Sequence, residues 1–124
     1  MQYTRLYADA DGESHFEDVA VELSSVDFAP PAPPLDVSSP MPADQYVFFR
    51  APAGWDGDWH PAPRRQLFVG IAGELEVEMS DGEVRRFGAG DLALLEDVSG
   101  KGHVTRVVGD SDARGVFVQL PVEP

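Results

Sequence analysis

Apolar and polar residues alternate with a period of two along most of the chain. In residues 74–79, Leu75, Val77 and Met79 alternate with three glutamates, which predicts a strand with one buried face and one wet face. Similar runs predict the other strands, with one or two in residues 1–28 and the rest near 46–50, 60–70, 92–95, 103–108 and 115–120. We find no useful length of the 3.6-residue period of an amphipathic helix, so the pattern predicts an all-β protein.

Glycine-containing turns separate these runs. Asp81-Gly82 follows the alternating strand and is a hairpin signal. Gly88, Gly90 and Asp91 form a second tight-turn pattern directly before an apolar run. A chain of 124 residues is long enough for one hydrophobic core. We therefore expect one domain over residues 1–124.

The segment 29–43 contains six prolines. Proline lacks a backbone donor and has a fixed φ, so this segment cannot form a helix or a central strand. We expect an extended arm with polyproline character. Two arrangements remain open: the arm is a stiff connector lying on its own domain, or it crosses to a second subunit.

Composition and charge narrow the classes of function. The net charge of −13 argues against a nucleic-acid partner, whose phosphates such a surface would repel. The chain has no cysteine, which excludes disulfides and thiolate chemistry. No apolar run approaches 18 residues, and the N-terminus lacks the pattern of a signal peptide, so we expect a cytoplasmic protein without a membrane partner. There is no P-loop and no dinucleotide fingerprint, so no nucleotide cofactor is expected.

Two motifs lie between residues 59 and 103. In the first motif, His60 is followed by Gln66 and then by Gly73. In the second, a Gly-Asp turn, an apolar strand and a glycine-containing turn precede His103. This stretch resembles the cupins, whose first motif has a His-x-His pair, a Glu and a glycine, and whose second ends in a His after a Gly-Asp turn. Cupins are small jelly-roll barrels.

The resemblance covers about residues 44–120, and it implies a cupin jelly-roll β-barrel with an N-terminal strand region and the proline-rich arm before it. Cupins commonly hold Mn, Fe, Ni, Cu or Zn through three His and one Glu, and the matching residues here are His60, Gln66 and His103. Ala62 stands where the second His of the pair would be, and Gln66 replaces the Glu. A divalent transition metal is therefore one expectation. The other is a metal-free polar cluster of the same three side chains.

Further residues near the motifs are candidates for binding a substrate. Arg64 and Phe68 have the same strand parity as the motif residues, so they are predicted to face the barrel interior with them. Trp59 is predicted either to cap the pocket or to pack in the core. Glu96, the first of two acids after an apolar run, is predicted either to point into the pocket mouth or to be solvated. His15 is predicted to be a surface or hydrogen-bonded histidine, and a role as a ligand of the site stays open as the alternative.

These observations favour a protein that binds a small organic molecule inside the barrel. We expect an enzyme of lyase, isomerase, cyclase or oxygenase type, with His60 and His103 as metal ligands or acid–base groups and Gln66 as a third ligand or orienting group. The alternative is a non-catalytic binding or sensing module without metal. A homodimer is also expected, since cupin barrels commonly pair and the proline-rich arm is suited to lie across a neighbour.

Overall fold

The structure is a computed structural model that describes residues 1–122, and the regular elements in this part of the chain are all β-strands. The strands are β1 Gln2–Ala8, β2 Ser14–Ala20, β3 Ser24–Val26, β4 Leu35–Val37, β5 Gln45–Ala51, β6 Gln66–Ala72, β7 Glu74–Met79, β8 Val84–Gly88, β9 Leu92–Leu95, β10 His103–Val107 and β11 Ala113–Gln119. The predicted all-β class is confirmed. Within residues 1–122 there is no helix long and apolar enough to cross a membrane.

Two sheets form the body of the domain. The larger has the strand order β2-β1-β9-β6-β11-β5, and the smaller has the order β10-β7-β8. Neighbouring strands are antiparallel except β1 and β9, which are parallel. The jelly-roll prediction is confirmed, with one refinement: the two sheets enclose a shared core without closing into a continuous barrel.

The alternation of residues 74–79 positions the core as predicted. Leu75, Val77 and Met79 of β7 are buried, and Phe68 of β6 and Phe87 of β8 join them in one cluster. Full burial of an apolar side chain of this size stabilises the fold by roughly 1.5–3 kcal/mol. In β7 the period-two pattern therefore identified the face that turns inward.

The predicted strand at 60–70 begins later than its pattern suggested. Only Gln66–Ala72 is regular strand, and the preceding residues form a loop that joins the sheet at one bridge between His60 and His103. Pro61 and Pro63 explain the delay, because neither can donate a backbone hydrogen bond to a ladder. The alternation of inward and outward side chains in β6 therefore does not extend back from Gln66 into this loop.

The proline-rich arm lies within a longer exposed segment. Strands β3 and β4 form a hairpin that hydrogen-bonds only to itself in the described structure, and every residue from 22 to 36 is exposed. We call residues 24–37 the β3–β4 hairpin. Its exposure shows that this part of the arm does not pack tightly on the two sheets of its own chain.

His15 hydrogen-bonds to residues of two turns and to none of the predicted motif residues in the described structure. Its Nε2 lies 2.7 Å from Asp9 Oδ2, and its Nδ1 lies 2.8 Å from Asp81 Oδ2. Asp9 belongs to the turn after β1, and Asp81 belongs to the turn after β7. The hydrogen bond with Asp9 is the main cause that raises the pKa of His15, and the hydrogen bond with Asp81 is the second. The bond between His15 and Asp9 also lowers the pKa of Asp9.

Candidate functional site

Backbone pairing holds the two motif histidines side by side. The N–H of His60 donates to the carbonyl of His103 at 3.0 Å, and the N–H of His103 donates to the carbonyl of His60 at 3.0 Å. Residues paired in this way in an antiparallel ladder project their side chains to the same face. The two imidazole centroids are accordingly 5.3 Å apart, with the rings tilted by 49°.

Gly102 makes this close approach possible. Its φ is +78°, and a Cβ at this position would lie 2.3 Å from the backbone carbonyl carbon and oxygen of His60. A side chain at this position would therefore meet both an unfavourable backbone conformation and a main-chain clash. The glycine before His103 is thus a structural requirement of the histidine pair.

His103 is held by a buried carboxylate. Its Nδ1 lies 2.6 Å from Asp97 Oδ2, and both side chains are almost completely buried. Ser14 Oγ donates to the same carboxylate oxygen over a longer distance, 3.4 Å. Asp97 Oδ1 is buried without a hydrogen-bond partner in the described residues. Asp97 therefore depends chiefly on His103 for compensation of its buried polar atoms.

His60 is held by a backbone carbonyl. Its Nδ1 lies 2.9 Å from the carbonyl oxygen of Asp58 and donates to it. Asp58 has a φ of +58°, a left-handed conformation that Asp tolerates better than most residues. Both imidazoles therefore use Nδ1 for a structural contact, and the structure gives neither Nε2 a hydrogen-bond partner among residues 1–122.

Gln66 is the inner member of a row of three glutamines. Its Oε1 accepts a hydrogen bond of 3.1 Å from Gln119 Nε2, and Gln119 Oε1 in turn accepts one from Gln45. The three residues are direct neighbours across β6, β11 and β5. The row occupies the amide oxygen of Gln66 and leaves its amide N–H groups as the remaining polar groups of this buried side chain.

A cavity of about 350 Å³ opens beside these side chains. Its volume is within the usual range for small-molecule sites. The polar lining residues are His60, Gln66, His103, Thr105 and Arg50, and the apolar ones include Phe49, Trp55, Leu75, Leu95 and Phe117. A smaller space of about 50 Å³ deeper between the sheets shares His103 and is also lined by Phe68.

No family model and no curated protein sequence matches the chain. Among solved structures it is similar to a cupin domain from Bordetella pertussis, with 17% identity and a TM-score of 0.50 over 68% of this chain and 100% of that one. It is also similar to the cupin domain of Cnp3 from Schizosaccharomyces pombe, with 13% identity and a TM-score of 0.52 over 88% and 73% of the two chains. A conserved protein of unknown function from Streptococcus pyogenes matches with 16% identity and a TM-score of 0.47, and the chain covers 65% of its length. The chain has the cupin fold.

This fold leaves Trp59 and Arg64 outside the cavity lining. Trp59 is 47% exposed, and its neighbour Trp55 is the tryptophan that lines the cavity. The Arg64 guanidinium donates to Asp44 and to the carbonyl of Leu120. Both were predicted as substrate-binding residues from parity or position. The prediction for Arg64 was wrong because the loop before β6 is not an extended strand.

Glu96 also lies away from the cavity lining. Leu95 faces inward, so the next residue of the extended chain faces outward. Its carboxylate accepts hydrogen bonds from Arg5 at 2.6 Å and from Arg65 at 2.8 Å. Burial by itself would raise the pKa of Glu96, but the hydrogen bonds from these two arginines lower it. Glu96 is therefore an ion-pair residue on the outer side of the large sheet, neither solvated nor at the pocket mouth.

Asp97 and Trp55 are site residues whose roles were not predicted from the sequence. Asp97 was considered only as the second of two acids after an apolar run. Its parity was a usable signal, because Ala93, Leu95 and Asp97 alternate along one face and the first two turn inward. The partner of Asp97, however, could be found only from the tertiary structure.

The side chains at this site offer fewer ligand atoms than a bound metal ion usually has. His60 and His103 each keep one nitrogen for a ligand, while the amide oxygen of Gln66 is occupied by Gln119. Within residues 1–122 no group of three or more His, Cys, Asp or Glu side chains is arranged to hold a metal ion. Catalytic zinc sites have three protein ligands. The residues present do not fit a metal centre of that kind.

Proposed function

We propose that the cavity binds a small organic molecule and that His103 and His60 transfer a proton on it. The observation that supports this proposal is the matched orientation of the two imidazoles. Both line one cavity, and each donates its Nδ1 proton to an acceptor outside the lining, Asp97 or the carbonyl of Asp58. The Nε2 atoms are left for the ligand.

This arrangement suits His103 to act as a general base. An imidazole that donates from Nδ1 has an unprotonated Nε2 when it is neutral, and that atom accepts a proton. A base oriented by a third group is the usual arrangement in acid–base catalysis. Asp97 is the positioning residue that holds the ring, and His60, 5.3 Å away between centroids, is close enough to act on the same ligand.

The remaining lining indicates the class of ligand. Gln66 offers amide N–H groups, which hydrogen-bond a carbonyl oxygen or an oxyanion. Phe49, Trp55 and Phe117 provide an apolar wall for the body of the molecule. A small carbonyl compound fits this combination. His103 would take a proton from the carbon next to the carbonyl and return it at another atom in an isomerase-type reaction, or a leaving group would depart in a lyase-type reaction.

Two other functions remain as alternatives with distinct predictions. A metal held by His60 and His103 alone would have fewer than the three protein ligands of a catalytic zinc site, and its one support is the pair of Nδ1 hydrogen bonds, since metal-binding histidines commonly donate from their second nitrogen to a carboxylate or a carbonyl. It requires that protein purified without added metal contain close to one ion per chain by elemental analysis. A non-catalytic binding or sensing module uses the same cavity, and it requires binding without any proton transfer.

The test is exchange of ligand protons with solvent. Fragment mixtures of small carbonyl compounds would be screened by NMR for binding, and the hits incubated in D₂O to follow deuterium at the carbon next to the carbonyl. We expect His103→Asn to lose exchange, because Asn can still donate to Asp97 but has no equivalent of Nε2. His15→Gln is the matched control and should exchange normally, since His15 lies outside the cavity lining. Binding with no exchange in the unmodified protein would refute proton transfer and favour the sensing module.

A further inference from the structure

Aromatic residues attached to both sheets line the cavity that holds the histidine pair. Phe49 and Phe117 belong to neighbouring strands of the large sheet, and their rings are stacked with centroids 4.6 Å apart and planes 26° apart. Trp55, in the loop after β5, also lines the cavity. Its carbonyl accepts a hydrogen bond of 2.9 Å from the N–H of Val107, at the end of β10 in the small sheet. The cavity therefore has aromatic lining from the side of each sheet.

Two glycines make room for these rings. A Cβ on Gly57 would lie 2.5 Å from Trp55 Cη2, and a Cβ on Gly115 would lie 2.8 Å from Phe49 Cε1. Both distances are well inside the usual separation of carbon atoms in contact, so a side chain at either position would displace the ring. Because the rings rest directly on main chain, their positions are set before a ligand binds. Binding a ligand between such rings costs less ordering of side chains.

The charge of the lining narrows the kind of ligand. The chain has 22 Asp and Glu residues, yet none of the described residues that line this cavity is Asp or Glu. Two acids follow Trp55 closely, but Asp56 pairs with Arg106 at 3.5 Å and Asp58 accepts a hydrogen bond of 2.8 Å from the N–H of Trp59. Aromatic faces attract cations as well as rings. A cation taken out of water is normally compensated by an opposite charge, so this lining favours an uncharged ring.

We propose that the ligand of this cavity is an aryl carbonyl compound, in which a planar aromatic ring carries the carbonyl group. The ring lies between Trp55 and the stacked pair of Phe49 and Phe117, and the carbonyl oxygen lies toward the amide of Gln66 and the imidazole of His103. Contacts between aromatic rings stabilise such a ring beyond the burial of its area, and a saturated ring lacks this contribution. Trp55 is thus a specificity-determining residue. This inference rests on the proposed function, because it names the class of compound that the same cavity binds.

A matched pair of ligands tests the preference for an aromatic ring. Acetophenone and cyclohexyl methyl ketone carry the same acetyl group and have nearly the same size, and they differ in whether the six-membered ring is aromatic or saturated. The affinity of each for the unmodified protein would be measured by NMR titration. We expect acetophenone to bind about tenfold more tightly, since its ring contacts aromatic side chains on both sides. Saturation-transfer NMR should show stronger protein contact at its ring protons than at its methyl protons.

Three variants test the role of Trp55. Trp55→Leu removes one aromatic contact and should reduce the preference for acetophenone to about threefold or less. Gly57→Ala keeps the indole but places a methyl group against it, so this preference should fall here as well. Trp59→Leu is the matched control, because Trp59 is 47% exposed and does not line the cavity, and it should keep the full preference. Far-UV circular dichroism would check that each variant is folded.

The results distinguish this inference from the proposed function. Equal affinities for the two ketones, binding of neither, or a preference that Trp55→Leu leaves intact would each overturn the inference. Proton transfer is measured separately, as deuterium exchange of the methyl protons of both ketones in D₂O. Exchange with equal affinities would overturn only the preference for an aromatic ring. A preference for acetophenone without exchange would overturn only the proton transfer.

Discussion

Replacing His103 should separate its structural role from its role at the cavity. Asp97 has no exposed surface, and its Oδ2 accepts from His103 Nδ1 at 2.6 Å and from Ser14 Oγ at 3.4 Å. His103→Ala would leave this buried carboxyl group with the weaker hydrogen bond. Leaving a buried charged group without its main partner costs about 3–5 kcal/mol. This is a large share of the roughly 5–15 kcal/mol by which native domains are stable.

His103→Asn should cost much less. The amide nitrogen of Asn occupies nearly the same place as Nδ1 and can still donate to Asp97 Oδ2, so only the ring contacts are lost. We expect a loss of roughly 1 kcal/mol, the typical effect of a point substitution. The difference between the stability losses of the two variants therefore measures the hydrogen bond to Asp97 separately from the packing of the imidazole ring.

Urea unfolding measured by the fluorescence of Trp55 and Trp59 would report both losses. With a slope of about 2 kcal/mol per molar urea, the midpoint should fall by roughly 2 M for His103→Ala and by roughly 0.5 M for His103→Asn. Equal shifts for the two variants would refute the assignment of His103 Nδ1 as the donor that compensates Asp97. A negligible shift of the midpoint for His103→Ala would refute the same assignment.

Two further predictions concern the histidine contacts. The raised pKa of His15 means that its contribution to stability is fully present below its ordinary pKa of 6.5 and is lost as the pH rises through the higher folded-state value. The lowered pKa of Asp9 means that its contribution is lost only as the pH falls below 3.8. His15→Gln should therefore destabilise the protein at pH 5.5 and have little effect at pH 9.5, and thermal melts with equal losses at both would contradict this. Gly102→Ala should lower the free energy of unfolding by more than about 2 kcal/mol, since it adds a clash with His60 to the strain of a positive φ. Gly82→Ala, with a φ of +93° and open space around it, should cost only about 1 kcal/mol, and equal losses for the two variants would show that the contact with His60 is unimportant.

The sequence was sufficient for features that depend on neighbours along the chain. Alternation at 74–79 identified Leu75, Val77 and Met79 as inward residues, and the structure buries all three. The apolar run Leu92–Leu95 was predicted with its observed bounds. Strand periodicity and turn residues are local properties, since each follows from the stereochemistry of a few consecutive residues. The cupin fold could be inferred because these local signals occur in the order of its two motifs.

The tertiary structure alone decided which polar side chains meet. His103 pairs with Asp97, Gln66 pairs with Gln119, and Glu96 pairs with Arg5, which is 91 positions away. The position of Arg64 was also decided by the tertiary structure, because two prolines delay the start of β6 and leave Arg64 in the loop before it. A side chain's partner is determined by strand order, register and loop path, which are long-range outcomes of packing the two sheets together. A single sequence carries periodicity but does not by itself specify which distant strands become neighbours.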